Sequence, residues 1–436
     1  MKTYEKYKDS GIEWIGEIPE HWECKMIKRL SPIKRGASPR PIDNPIYFDN
    51  NGEYSWVRIA DVSASERYLE YTEQTLSELG ASLSVKRNPG DFFLSIAGTV
   101  GKPIITKIKC CIHDGFVYFP NLKINPEYLY YIFTTGMPYK GLGKWGTQLN
   151  LNTDTVGDIY IPVPLDNEIE SQINFLDRKT AEIDRIISNK QKLITLYEEE
   201  KQAVINLAVT ESIRVNVAYK KTGTDWLDEI PDSWQFLTMK RLVSTKITDG
   251  PHETPEFLPD GVPFLSAESV KNGKLDFDFR RGNISKELDE FYSKKCKPKR
   301  DDIFIVKSGS TTGKIAIVDF DDDFNIWSPL ALVRVNEKVN PYFLYYALQS
   351  FYFQKQIQLS WSFGTQPNIG MNVIENLKVA VPISLEEQKS IISHIESELN
   401  RLNEIIEKFN KQIDLLQEYR TTLISDVVTG KVRVTE

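Results

Sequence analysis

Cysteine and histidine are scarce here, with four of each in 436 residues. Cys24, Cys110, Cys111 and Cys296 have neither zinc-site nor disulfide-framework spacing. His21, His113, His252 and His394 form no HExxH and no i,i+4 pair, so no metal site is expected. No apolar run reaches the roughly 18 residues a membrane helix needs. The opening Met1-Lys2-Thr3-Tyr4-Glu5-Lys6 is charged and leads to no apolar stretch, so no signal peptide is read and a reducing cytoplasm is the expectation. GxSxG is missing. Gly309-Ser-Thr-Thr-Gly313-Lys314 has three residues between its glycines instead of four, and Ile315 follows where a P-loop puts Ser or Thr. A glycine-rich turn between strands is the better reading. Asn125-Pro126-Glu127 and Asn340-Pro341-Tyr342 lack the second proline of the amino-methyltransferase motif and read as helix caps. Nothing in the chain proposes a catalytic centre.

An excess of positive charge is also lacking. The formal net charge is −7, and most nucleic-acid binders acting alone are more basic. Its distribution is uneven: residues 1–165 are net 0, 166–210 net −3, 211–383 net −1 and 384–436 net −3. The acidity sits on two segments, and the remainder is neutral.

What the chain does have is a repeat, at a period near 210–219 residues. Trp14-Ile-Gly-Glu-Ile-Pro-Glu-His-Trp22 returns as Trp226-Leu-Asp-Glu-Ile-Pro-Asp-Ser-Trp234. Lys28-Arg29-Leu30 returns as Lys240-Arg241-Leu242. Asp91–Lys102 matches Asp302–Lys314, and Asn125-Pro126 matches Asn340-Pro341. Gly146-Thr-Gln148-Leu-Asn150 matches Gly364-Thr-Gln366-Pro-Asn368. A two-fold repeat of this size means duplicated domains, since solenoid periods are far shorter. In each half, short β-branched and aromatic runs read as strands (Trp56–Ile59, Phe92–Ile96, Ile303–Val306, Ala331–Val335). Each Asn-Pro starts a helix. The fold class expected is α+β, two duplicated α/β domains with two long helices.

Those helices carry heptad seams. Leu399, Leu402, Ile406, Phe409, Ile413, Leu416, Leu423 and Val427 step by three and four, with Arg420 out of class. Ile183, Ile187, Ile194, Tyr197, Val204 and Ala208 repeat the pattern, broken by Lys190 and Lys201. Two such helices most simply pair with each other. The divisions expected are 1–165, 166–210, 211–383 and 384–436.

In this order and duplicated, the motifs resemble the specificity subunit of type I restriction–modification systems. Further carriers are Thr248-Asp-Gly-Pro-His-Glu-Thr-Pro255 and the lead-ins to the long helices, with Pro382, Glu387 and Gln388 in the second and, more loosely, Pro164, Glu170 and Gln172 in the first. The first half reads Lys34-Arg35-Gly36-Ala37-Ser38-Pro39 where the second has Asp-Gly-x-His-x-Thr-Pro. The resemblance implies two target-recognition domains reading the halves of a split double-stranded DNA site, separated by an antiparallel coiled coil. It implies no catalysis and no cofactor in this chain. It also implies two methyltransferase subunits using S-adenosylmethionine, and restriction-motor subunits using ATP and Mg²⁺. The rival is a scaffold that gathers subunits without reading DNA. Base readout needs forked donors and amides. The candidates are Lys34, Arg35, Arg40, Arg58, Lys102, Gln148 and Asn150 in the first half, and Lys246, His252, Lys307, Ser308, Lys314, Gln366 and Asn368 in the second.

Overall fold

The computed structural model describes residues 2–140, 142, 151–213, 216–361 and 367–434. Two compact units divide the chain: Met1–Lys190 with Asn410–Glu436, and Gln191–Phe409.

The first unit is built on two sheets. One has five strands in the order Lys34–Arg35, Phe116–Tyr118, Phe92–Ser95, Pro103–Thr106, Tyr68–Leu69. The other has four, in the order Gln74–Leu76, Tyr54–Val57, Cys110–Ile112, Val85–Arg87. Phe92–Ser95 and Pro103–Thr106 are buried along their whole length. Strands covered on both faces read as unbroken apolar runs.

The second unit repeats the plan with fewer strands. Thr248–Asp249, Leu330–Val333, Ile303–Val306 and Ile315–Ile317 form one sheet; Gly282–Ile284, Val262–Leu265 and Asn325–Ile326 form the other. A two-stranded pair closes each unit, Glu23–Met26 with Tyr160–Val163 and Trp234–Thr238 with Lys378–Pro382. Trp22, just before the first pair, and Trp234, the first residue of the second, are 0% exposed. Burying a side chain of that size contributes roughly 1.5–3 kcal/mol or more.

Several expectations shift by a residue or two. The strand read at Trp56–Ile59 is Tyr54–Val57, because Arg58 is already the N-cap of the helix Ile59–Ala64, its backbone N–H donating to the Asp61 carboxylate at 2.8 Å. Phe92–Ile96 ends at Ser95, and Ala331–Val335 is Leu330–Val333. Asn125 and Asn340 cap Pro126–Thr134 and Pro341–Gln349, each side chain accepting the N2 amide at 2.9 Å. Gly309–Lys314 joins the antiparallel strands Ile303–Val306 and Ile315–Ile317, with Gly309 and Gly313 at φ 98° and 94°. A phosphate-binding loop would lead into a helix.

The long helices are Asp166–Thr210 and Leu385–Val428. They run antiparallel inside each unit. In the first, Arg420 donates to Asp184 at 2.9 Å and Lys190 to Gln412 at 2.5 Å. In the second, Tyr197 lies 5.9 Å from Phe409 and Arg401 meets Glu200 at 3.4 Å. Ile183, Ile187, Leu402, Ile406, Ile413 and Leu423 are buried; Ile194, Tyr197, Val204, Leu399, Phe409 and Leu416 are half-buried. The residues that break the seam are paired: Arg420 and Lys190 across the helices, Lys201 along its own helix to Glu198 at 2.9 Å.

Candidate nucleic-acid interface

In the first unit, Tyr54–Val57 and Cys110–Ile112 pair in parallel with Val57 opposite Ile112. The next residues, Arg58 and His113, therefore leave the sheet at the same end. Both line a cleft of about 910 Å³, with Arg40, Trp56, Gln74 and Asp114. The Arg58 guanidinium is braced by Asp61 (Nη2 3.3 Å) and Glu73 (Nη2 2.5 Å), and these hydrogen bonds raise its pKa above the ordinary arginine value. Asp114 accepts from Ser38 Oγ at 3.1 Å and Arg40 Nη2 at 3.3 Å, while its carbonyl accepts from Arg35 Nε. Burial raises the Asp114 carboxyl, but these hydrogen bonds and charges outweigh it and hold it below its usual range. Burial pushes the His113 imidazole down, against the pull of Asp114. Its Nδ1 accepts the Gly115 amide at 2.8 Å. That bond requires an unprotonated Nδ1.

The second unit has a different centre. Asp249 is 6% exposed and gathers Lys295 at 2.7 Å, Lys307 at 3.1 Å and His252 at 3.1 Å. Burial works against its charge, yet the hydrogen bonds from Lys295 and Lys307 hold its carboxyl below the ordinary range. A carboxylate buried to this degree keeps its charge only when paired.

Strand register matches the two units position by position. Arg35 lies opposite Val117, and Asp249 opposite Ala331, in equivalent edge strands. A glycine follows each. A Cβ on Gly36 would fall 2.1 Å from the His113 carbonyl oxygen, and one on Gly250 would fall 1.9 Å from that of Ile326. The parallel pairs (Val57 with Ile112, Leu265 with Ile326) align Arg58 with Ser266, His113 with Trp327 and Asp114 with Ser328. The central strands (Ser95 with Phe116, Val306 with Leu330) align Ile96 with Lys307. The scaffold is shared while the side chains at its cleft end differ in charge, shape and donor pattern.

The structure brings Arg35, Arg40 and Arg58 together around the first cleft and its Asp114 wall, and leaves Lys34 exposed on the edge strand. His252 and Lys307 meet at Asp249, and Lys246 lines a cavity of about 490 Å³ beside it. Ser308 bridges to Asn368, and Ile369 donates to the Lys307 carbonyl at 2.8 Å, so the end of the second Gly-Thr-Gln-Pro-Asn block lies against the glycine-rich turn. Gln148, Asn150 and Gln366 lie outside the described residues.

Lys102 and its twin Lys314 are not with the others. Lys102 donates to the Ser63 carbonyl at 2.9 Å, and burial lowers its pKa. It lines a cavity with Arg67, Tyr131 and Asp177 on the side of the first long helix. Lys314 lines one with Gln202 of that same helix.

Sequence reasoning missed three groups. Arg67 meets Asp177 at 2.5 Å and Glu127, and packs on Tyr68, Tyr130 and Tyr131, tying the five-stranded sheet to the long helix. Asp249 lies inside Thr248–Pro255, whose sequence does not reveal its burial. The third group corrects the first lead-in. Glu170 is exposed; the residue that works there is Glu168, which accepts the Trp22 indole N–H at 3.0 Å, as Glu387 does that of Trp234 at 3.1 Å. The lead-ins differ by one residue in length, and the signal was a carboxylate in the first turn of each helix.

No group of three His, Cys, Asp or Glu side chains among the described residues is placed to hold a metal ion. No helix of the described residues is long and apolar enough to cross a membrane.

The profile of the type I restriction modification DNA specificity domain matches the chain twice, over residues 19–198 and 231–415. The chain is 24% identical to the type I restriction enzyme MjaVIII specificity subunit of Methanocaldococcus jannaschii, over 98% of this chain and 97% of that one. Its fold is similar to that of a chain solved in work on complex assembly and conformational transition of the type I R-M system (15% identity, TM-score 0.62, 95% of this chain and 99% of that one). It is also similar to the HsdS subunit of Thermoanaerobacter tengcongensis (13% identity, TM-score 0.51, 95% and 98%).

Proposed function

We propose, from this chain's membership of the type I restriction modification DNA specificity family, that its two units each read one half of a split double-stranded DNA site. The carrying observation is the matched register: one scaffold twice, with Arg35, Arg58, His113 and Asp114 replaced by Asp249, Ser266, Trp327 and Ser328. Identical frames with different donors and acceptors suit two different base sequences. Lys34, Arg35, Arg40 and Arg58 are the contacts we propose for the first unit, Lys246 and His252 for the second.

The chain acts as a recognition subunit and leaves chemistry to partners. Its net charge of −7 favours phosphate contacts supplied elsewhere in a complex. Two methyltransferase subunits would dock on the acidic long helices, bringing S-adenosylmethionine, and motor-nuclease subunits would bring ATP and Mg²⁺. The cytoplasm is the compartment such a system requires. A gel shift of the full chain with its methyltransferase partner, on DNA of the mapped target and on a scrambled control, tests the reading. Sequence-dependent retardation is expected; equal retardation of both would leave only the scaffold role.

A further inference from the structure

We infer that Arg58 reads a guanine, and so decides which base the first unit accepts at one point of its half-site. This rests on the DNA-reading function proposed above and names a base within it.

The scaffold does not need an arginine at this point. Ser266 occupies the matched position in the second unit, 1% exposed, and the sheet forms around it with Phe264 and Leu265 paired as Trp56 and Val57 are. Arg58 projects into the first unit's cleft at the end of two parallel strands, beside Trp56 and Gln74.

Its pairing separates base reading from phosphate binding. Asp61 and Glu73 bind the guanidinium through Nε and Nη2. Three side chains so grouped carry a net charge of −1, which repels a phosphate. A base edge is neutral and asks only for hydrogen-bond donors. Among the described residues Nη1 makes no hydrogen bond, so the guanidinium that lines the cleft keeps its Nη1 N–H groups unspent. The guanine edge in the major groove offers two acceptors, N7 and O6, and arginine is their commonest partner. The two carboxylates also fix the side chain before DNA arrives, which removes most of the ordering cost of a long, flexible group. Arg35 and Arg40 lack this: both are exposed and both are tied to the single residue Asp114.

The test uses the full chain assembled with its methyltransferase subunits, and a DNA library in which every position of the mapped target is varied. Methylation is read by sequencing for wild type, Arg58→Ser and Arg58→Lys. Both variants are expected to lose about 10- to 100-fold of the preference for G·C at one position of one half-site, with all other positions and the salt dependence of binding unchanged. Lysine keeps the charge but cannot hold Asp61 and Glu73 through one edge of a planar group while presenting a further nitrogen to a base, so its failure to rescue separates donor geometry from charge. An unchanged preference at every position overturns the inference and leaves the bipartite reading intact. So does loss at an A·T pair, or a uniform loss at all positions with a shallower salt slope, which marks a phosphate contact. A wild-type complex that methylates without sequence preference overturns both. Melting curves of the complexes identify a variant that fails to fold, and Glu73→Gln, an exposed change, then serves in its place: it should weaken the same position's preference by a smaller factor, and no change there also overturns the inference.

Discussion

Trp22 reaches across the first unit to donate its indole N–H to Glu168 at 3.0 Å, and Trp234 does the same to Glu387 at 3.1 Å. Each bond joins the start of a unit to the first turn of a long helix, and all four side chains are buried. The surroundings differ. Glu168 also accepts from His21 Nε2 at 3.0 Å and from the Leu165 amide at 3.3 Å, whereas among the described residues the Glu387 carboxylate has no second donor. Trp234→Phe therefore strands a buried carboxylate and should cost about 1–3 kcal/mol from that cause alone. Trp22→Phe should cost less. Urea unfolding followed by circular dichroism ranks the two, and an equal or reversed order would mean that the indole bond is not what anchors the helix.

The helix seam should not tolerate charge. Ile413 is 7% exposed and Ile406 is 9%. Aspartate at either site buries an unpaired carboxylate at a cost of several kcal/mol, and the double variant should abolish methylation of the target by the assembled complex. Leu415→Asp, at a position 54% exposed, should change stability by no more than about 0.5 kcal/mol. Chemical denaturation reads both, and comparable losses at 413 and 415 would refute the seam.

Asp249 should make the second unit acid-sensitive. Its folded pKa lies below that of the unfolded chain, so its contribution is complete above the ordinary carboxylate range and disappears as pH falls through the lowered value. Asp249→Asn leaves Lys307, at 12% side-chain exposure, without its countercharge, and should cost about 2–4 kcal/mol at neutral pH. The gap between wild type and variant should narrow below about pH 4. A gap that stays constant from pH 7 to pH 3 would show that Asp249 holds its neighbours by packing and not by charge.

The units should be exchangeable. Trp14–Pro164 and Trp226–Pro382 are bounded by matching motifs. Replacing the first block with that of a related subunit should alter one half of the methylated sequence and leave the other. Genome-wide methylation mapping of a host carrying the chimera decides it; changes in both halves would mean that the units read DNA jointly.

The features legible in the sequence were those encoded locally. Asn125-Pro126 and Asn340-Pro341 are complete cap signals within two residues, and the structure uses them as such. The Gly309–Gly313 turn is marked by glycines that take the positive φ a tight turn needs. The seam is a periodicity, visible without knowing what it faces. What escaped depends on residues far apart in sequence. Nothing near Arg67 signals Asp177, which it meets across 110 positions. Glu168 and Glu170, one buried and one exposed two residues apart, look alike in the sequence until the Trp22 indole selects one. Lys102 and Lys314 are donors by residue type, and each ends a glycine-rich turn. Which way those turns face is set by the long helices beside them.

The first unit is made from two distant stretches of chain. Tyr128 donates to the Val428 carbonyl at 3.0 Å, Tyr7 to that of Gly430 at 3.2 Å, and Lys2 bridges to Arg433. A ribosome elongating at about 5–20 residues per second therefore needs on the order of 10–45 s after Lys190 before it delivers Asn410, where the missing piece begins. Throughout that interval the nascent first unit lacks Leu423, Ile424, Val427 and Val428, all buried once folding is complete. The second unit, Gln191–Phe409, is contiguous and waits for nothing. The part translated first is thus the part finished last, and its apolar surface stays open to chaperones, or to aggregation, for nearly the whole synthesis of its twin.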